Sequence, residues 1–132
     1  MIVVDASLMV DAVTDDGEQG RRAHAALSAD PHWAAPVHLP VEVTSAVRAR
    51  WLAGKISDER ADEVAATLHR LTVDYAGWGE IAERVWELRH NFTPYDAAYI
   101  AVAEIRGCPL VTADRKLVGD SVHHCTVRVV GD

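Results

Sequence analysis

Four acids in this sequence stand where short apolar runs give way to helical segments. Asp5 directly follows Ile2-Val3-Val4. Glu42 falls in the first turn of a helix opening near His38, and Asp96 in the first turn of one opened by Thr93-Pro94. Asp114 follows the run Pro109–Thr112. In open parallel sheets, ligands bind at the carboxyl ends of the strands, which is where these acids are expected. Taken singly, each has a plain structural use. A first-turn acid gains about 0.3–1 kcal/mol from the helix dipole, and Asp is a good N-cap. Taken together, four carboxylates without a matching set of lysines or arginines in the same loops cannot all ionise comfortably. A divalent cation relieves that repulsion. An all-oxygen donor set suits Mg²⁺ or Mn²⁺ rather than zinc. Such an ion makes a nucleophile from water and stabilises a phosphate transition state. The residues alone therefore point to metal-dependent phosphoryl chemistry.

The four do not fit the capping reading equally. Thr93-Pro94-Tyr95-Asp96 matches a capping box, and Asp114 suits an N-cap. Glu42 fits least. Leu39, Val43, Ala46 and Val47 trace one helical face, and Glu42 lies on that face or at its edge. An inward carboxylate is costly unless a cation pairs with it. Behind Asp96, the segment Ala97–Ala103 is apolar nearly all round, which predicts a deeply buried helix.

The elements that must position these acids alternate along the chain. Strands are expected at Ile2–Val4, Trp33–Pro36, Leu71–Tyr75, Pro109–Thr112 and Thr126–Val130. Helices are expected at Ala6–Val13, Glu18–Ser28, His38–Ala53, from Ser57 onward, at Gly77–His90, Thr93–Arg106 and, briefly, Arg115–Val118. Gly54 and Gly107 are the stops. Apolar rather than alternating strands, separated by helices, imply a mainly parallel five-stranded sheet covered on both faces. No linker or repeat divides residues 1–132, so one domain is expected.

The chain has 132 residues, is 49% hydrophobic and carries thirteen Lys+Arg against twenty Asp+Glu, for a net charge of −7. That balance excludes a disordered chain and argues against a general polyanion-binding surface. No basic segment and long apolar core precede Ile2, so no signal peptide is expected. The apolar run Ala97–Ala103 is far short of a membrane span. Cys108 and Cys125, without a C-x-x-C, are expected to be reduced packing residues of a cytosolic protein. No phosphate-binding glycine motif is present.

Several blocks then carry a resemblance over essentially the whole chain. Met1-Ile2-Val3-Val4-Asp5-Ala6-Ser7 resembles the opening of a PIN domain. Leu39-Pro40-Val41-Glu42-Val43, Tyr95–Glu104 and Leu110–Leu117 are similar to its later blocks. Their order and spacing match the VapC-type toxins of bacterial toxin–antitoxin pairs. The resemblance implies an α/β/α sandwich and a cytoplasmic Mg²⁺- or Mn²⁺-dependent endoribonuclease. It also implies inhibition by a VapB-type antitoxin from the adjacent reading frame, and a homodimer. It maps the family's acidic quartet onto Asp5, Glu42, Asp96 and Asp114, with Ser7 and Thr112 near the metal shell.

RNA approaching an acidic chain needs local cations. Arg115 and Lys116 beside Asp114, and Arg48, Arg50 and Lys55 late in the third helix and beyond, are the candidates. Trp33, Trp51, Trp78 and Trp86 are expected in the core or in grooves, with Trp51 lining a partner-helix groove as a further use. His123-His124 are expected to be surface residues. Two rival readings are a non-catalytic PIN-fold binding module, with the acids as caps, and a phospho-receiver-like signalling domain. The latter wants a lysine after a late strand, for which Lys116 is the weak candidate.

Overall fold

The structure is a computed structural model that describes residues 1–118 and 123–131. The elements run β1 (Ile2–Val4), α1 (Ala6–Thr14), α2 (Glu18–Ala29), β2 (Trp33–Pro36), α3 (Leu39–Leu52), α4 (Asp58–Arg70), β3 (Asp74–Ala76), α5 (Trp78–Glu87), α6 (Pro94–Arg106), β4 (Leu110–Thr112), a 3₁₀ turn at Arg115–Leu117 and β5 (Val127–Val129). The strands form one sheet in the order β3-β2-β1-β4-β5, and every neighbouring pair is parallel. The chain leaves β1 toward β2 and β3, then returns past β1 to lay down β4 and β5. The switch point therefore lies between β1 and β4, the strands that lead into Asp5 and Asp114.

The burial pattern follows from that order. The central strands β1 and β4 are buried at every position, whereas the edge strand β5 is only partly covered. A strand with helices on both faces has no solvent side, hence unbroken apolar runs. Helix α6 lies across β2, β1 and β4 with α5 behind it, and α1 packs on β4 and gathers α2 and α3 around it. Residues 97–103 of α6 are all buried, as the apolar run predicts, and its alanines let the helix approach the sheet closely. Thr93 caps α6 by accepting from Asp96 N, and Gly107 ends it at φ +64°, a conformation that costs glycine nothing. Gly20 permits another close approach. A Cβ there would stand 1.7 Å from the Asp15 carbonyl oxygen at the end of α1.

Two expectations need correction. The third strand is Asp74–Ala76, not Leu71–Tyr75. Leu71 caps α4 and packs with Val73 against the core from a connector. Pairing begins only where Asp74 comes opposite Ala34. Two of the four tryptophans also lie outside the core and grooves where they were expected. Trp78 and Trp86 are 59% and 68% exposed, because Ile81, Val85 and Leu88 take the inward stripe of this segment. Trp86 instead carries the Arg89 guanidinium 4.6 Å from its ring centre, a cation–π contact. Trp33 is half-buried, its indole N–H donating to the carbonyls of Leu27 and Asp30. Trp51 lines a groove of about 390 Å³ between α3 and α4 with Val47, Arg48, Ala61 and Ala65, as expected.

Candidate functional site

Asp5 is the first residue beyond β1 and the N-cap of α1. The register Val4↔Val111 brings it alongside Thr112 at the end of β4. Its Oδ1 accepts from Leu8 N at 3.1 Å and from Ser7 Oγ at 2.8 Å, and its Oδ2 accepts from Thr112 Oγ. Asp5 is only 5% exposed. Burial pushes its carboxyl up to about 6. The three donors oppose that shift without cancelling it, and the charge of Asp114 adds to it.

Ser7 and Thr112 do more than satisfy Asp5. Ser7 Oγ accepts from Ala113 N at 3.1 Å, and Thr112 Oγ accepts from Asp114 N at 2.9 Å. Together they tie the loop after β4 to the start of α1. That loop presents Asp114, which accepts from Lys116 N at 2.9 Å and caps the 3₁₀ turn. The two acids at the switch point are thus held by one hydroxyl pair.

Glu42 and Asp96 arrive from α3 and α6. Tyr99 donates its hydroxyl to Glu42 Oε1 at 2.8 Å. His38 Nε2 lies 2.9 Å from the same oxygen, but without hydrogen-bond alignment, leaving that buried nitrogen without a hydrogen-bond partner. Glu42 is thus turned toward the interior, as its place on the apolar face of α3 predicts. Its close polar contacts are a phenol and an imidazole, and Arg50 lines the same cleft. Asp96 is half-buried. Burial raises its carboxyl above the usual range, the charges of Asp114 and Glu42 raise it further, and Lys116 opposes them. Asp96 therefore feels both Asp114 and Glu42, while Asp5 feels Asp114: the structure joins all four acids electrostatically.

The donor chemistry suits a hard cation. Two of the four carboxyls resist ionisation, and three pairs repel. Among the described residues, however, no three His, Cys, Asp or Glu side chains are arranged to hold a metal ion as they stand. Asp5 is turned onto its three donors, Asp114 onto Lys116 N, and Glu42 onto Tyr99.

The expected RNA-contacting cations divide. Lys116 acts on Asp96 directly. Arg50 shares a cleft of about 300 Å³ with Ser7, Asp11 and Glu42. Arg115 is exposed on the 3₁₀ turn beside Asp114. Arg48 lines the Trp51 groove instead, and Lys55 lies beyond Arg50 at the end of α3. Sequence reasoning missed Tyr99 and His38. The available signal was a tyrosine three residues after Asp96, on the same face of an alanine-rich helix, and a histidine four before Glu42.

A family model described as PIN domain matches residues 2–118, a span that contains all four acids. The chain belongs to the PIN domain family. Among PIN-domain relatives, VapC ribonuclease Mb0985 of Mycobacterium bovis is 33% identical over 130 residues, covering 98% of each chain. Among solved structures, VapC20 of Mycobacterium tuberculosis, a sarcin-ricin loop cleaving toxin, superposes with a TM-score of 0.69 at 20% identity. That match covers 94% of this chain and 100% of the other. VapBC2 from Rickettsia felis, bound to a DNA fragment from its promoter, gives 0.65 at 13% identity over 99% and 100%. These superpositions show the PIN fold. Among the described residues, no helix of this PIN domain is long and apolar enough to cross a membrane.

Proposed function

We propose that this PIN domain is the toxin of a bacterial toxin–antitoxin pair. In this reading it is a cytoplasmic endoribonuclease whose divalent ion, Mg²⁺ or Mn²⁺, is held by Asp5, Glu42, Asp96 and Asp114. The observation that carries the reading is the electrostatic linkage of those four acids around the β1/β4 switch point, with Asp5 pushed up to about 6 by burial. A set of caps has no need of that arrangement. The relative named a VapC ribonuclease, matched end to end, supports the same activity.

When bound, the ion supplies a water nucleophile at neutral pH and offsets charge growing on the phosphoryl oxygens. The chain's own residues have separate tasks. Ser7 and Thr112 fix the Asp5 carboxylate and the loop that carries Asp114. Tyr99 orients Glu42. Lys116 and Arg50 stand at the edge of the acids, where they can meet RNA phosphates. Single-stranded or looped RNA is the expected substrate, because its bases can splay and stack.

The partner in this account is a VapB-type antitoxin. An acidic pocket in a chain of net charge −7 suits a basic segment whose arginine pairs with the carboxylates and excludes the ion. The Trp51 groove offers an apolar seat for the remainder.

The test is incubation of purified protein with a mixed RNA pool in Mg²⁺, in Mn²⁺ and in EDTA. Discrete cleavage with either ion, abolished by EDTA and restored on adding ion back, is expected. Cleavage that persists in EDTA after rigorous metal removal contradicts the metal-dependent reading, and no cleavage under any condition favours a binding module.

A further inference from the structure

Two cysteines at the other end of the sheet form a second chemical site. Cys108 lies two residues before Leu110 of β4, and Cys125 two residues before Val127 of β5. Leu110 and Val127 are register partners, and Leu110 N donates to the Thr126 carbonyl at 2.9 Å. Both cysteines lie just outside the paired residues, Cys108 in the connector from α6, where its N–H donates to the Ala103 carbonyl, and Cys125 in the bend before β5, so this pairing gathers their two segments at one end of the sheet. A disulfide needs Cα atoms about 4.4–6.8 Å apart, and both cysteines lie within two residues of the Leu110–Thr126 bond.

Three further observations agree. Both cysteines line one cavity of about 350 Å³ with Glu104, Gly107, Pro109 and His124. Neither cysteine is in a disulfide and both are only partly buried, so a small reagent has access, and the Cys125 Sγ lies 3.8 Å from His123 Nδ1. Cys125 also feels Cys108 electrostatically.

We propose that Cys108 and Cys125 are a modification site that closes to an intramolecular disulfide on exposure to a low-molecular-weight disulfide. The deprotonated sulfur of one cysteine attacks the small disulfide, forming a mixed disulfide and expelling one small thiolate. The deprotonated sulfur of the other then attacks the protein-side sulfur and expels the second. Two protein thiols become one disulfide, the small disulfide is reduced to two thiols, and the two protons pass to the departing thiolates. Burial raises both protein thiols, Cys125 to about 11, so exchange at neutral pH is slow. The bond would pin β5, the partly covered edge strand, to buried β4. It forms at the amino ends of these strands, whereas Asp114 follows the carboxyl end of β4. Stability should therefore change while activity does not.

The experiment incubates the folded protein overnight with excess glutathione disulfide, alkylates remaining thiols with maleimide and measures intact mass. The expected product is monomeric, about 2 Da lighter and unalkylated, with Cys108- and Cys125-containing peptides linked after digestion. Its melting temperature should rise by roughly 5–10 °C. In Cys108→Ser and Cys125→Ser the reaction should stop at one glutathione adduct. Folding should also raise the equilibrium ratio of internal to mixed disulfide at least tenfold over the urea-unfolded chain. Two stable glutathione adducts, a disulfide-linked dimer, or equal ratios for folded and unfolded chains would overturn the proposal.

Discussion

Tyr99 on α6 donates its hydroxyl to Glu42 Oε1 on α3 at 2.8 Å, linking helices that approach the sheet from separate parts of the chain. Tyr99 is 2% exposed, so its hydroxyl has little water to turn to, and Glu42 is its answer. The carboxylate in turn is held at one rotamer. Tyr99→Phe removes this bond while keeping the ring that packs edge-on against His38. The expected cost is about 1 kcal/mol of stability and roughly tenfold in activity, as for groups that orient metal ligands. Initial cleavage rates and urea unfolding on the same preparations check it. Unchanged cleavage would mean that Glu42 needs no such support.

Asp5 sets a pH dependence of known sign. Its carboxyl titrates near 6 in the folded protein against 3.8 for the ordinary group. Between those values the folded state holds a proton that the unfolded state has released. Stability therefore falls as pH rises through this window, and the penalty is complete above it. About two pKa units correspond to about 3 kcal/mol. In chelator, urea unfolding from pH 3.5 to 7.5 should show Asp5→Asn gaining on the wild type between about pH 4 and 6, then holding a constant advantage. Parallel profiles would show that Asp5 is not desolvated as described.

Asp114 separates capping from chemistry. Its side chain accepts from Lys116 N, a bond that Asn makes about as well. Asp114→Asn should keep the 3₁₀ turn and remove a charge that raises both Asp5 and Asp96. The expected variant melts at or above the wild-type temperature without metal, yet cleaves RNA about a hundredfold or more slowly. Calorimetry and a cleavage assay decide. A fully active variant would reduce Asp114 to a cap.

Much of this was legible in the sequence, for identifiable reasons. The unbroken apolar runs of β1 and β4 marked central parallel strands, because only a strand covered on both faces lacks a polar alternate. Thr93-Pro94 and Gly107 marked both ends of α6 by their own backbone chemistry. The acids were visible because each directly follows such a strand or opens a helix. What stayed hidden depended on pairing between distant segments. Leu71 and Val73 are as apolar as a strand, yet the register of β2 admits only Asp74–Ala76. Trp78 and Trp86 are core-sized, but Ile81, Val85 and Leu88 had already filled the inward stripe. The Glu42–Tyr99 bond spans 57 positions, and no local pattern announces a contact of that range.

Asp96 offers the most direct measurement of the account, because burial and two neighbouring charges raise it together. Mn²⁺ is titrated by calorimetry into metal-free wild type and Asp96→Asn, with RNA cleavage rates taken on the same samples across the titration. The wild-type rate is expected to rise in step with Mn²⁺ occupancy from zero without metal. Asp96→Asn, folded by its melting curve, is expected to lose most of both. Wild-type cleavage with no ion bound, or an Asp96→Asn variant that cleaves RNA at the wild-type rate, would contradict it.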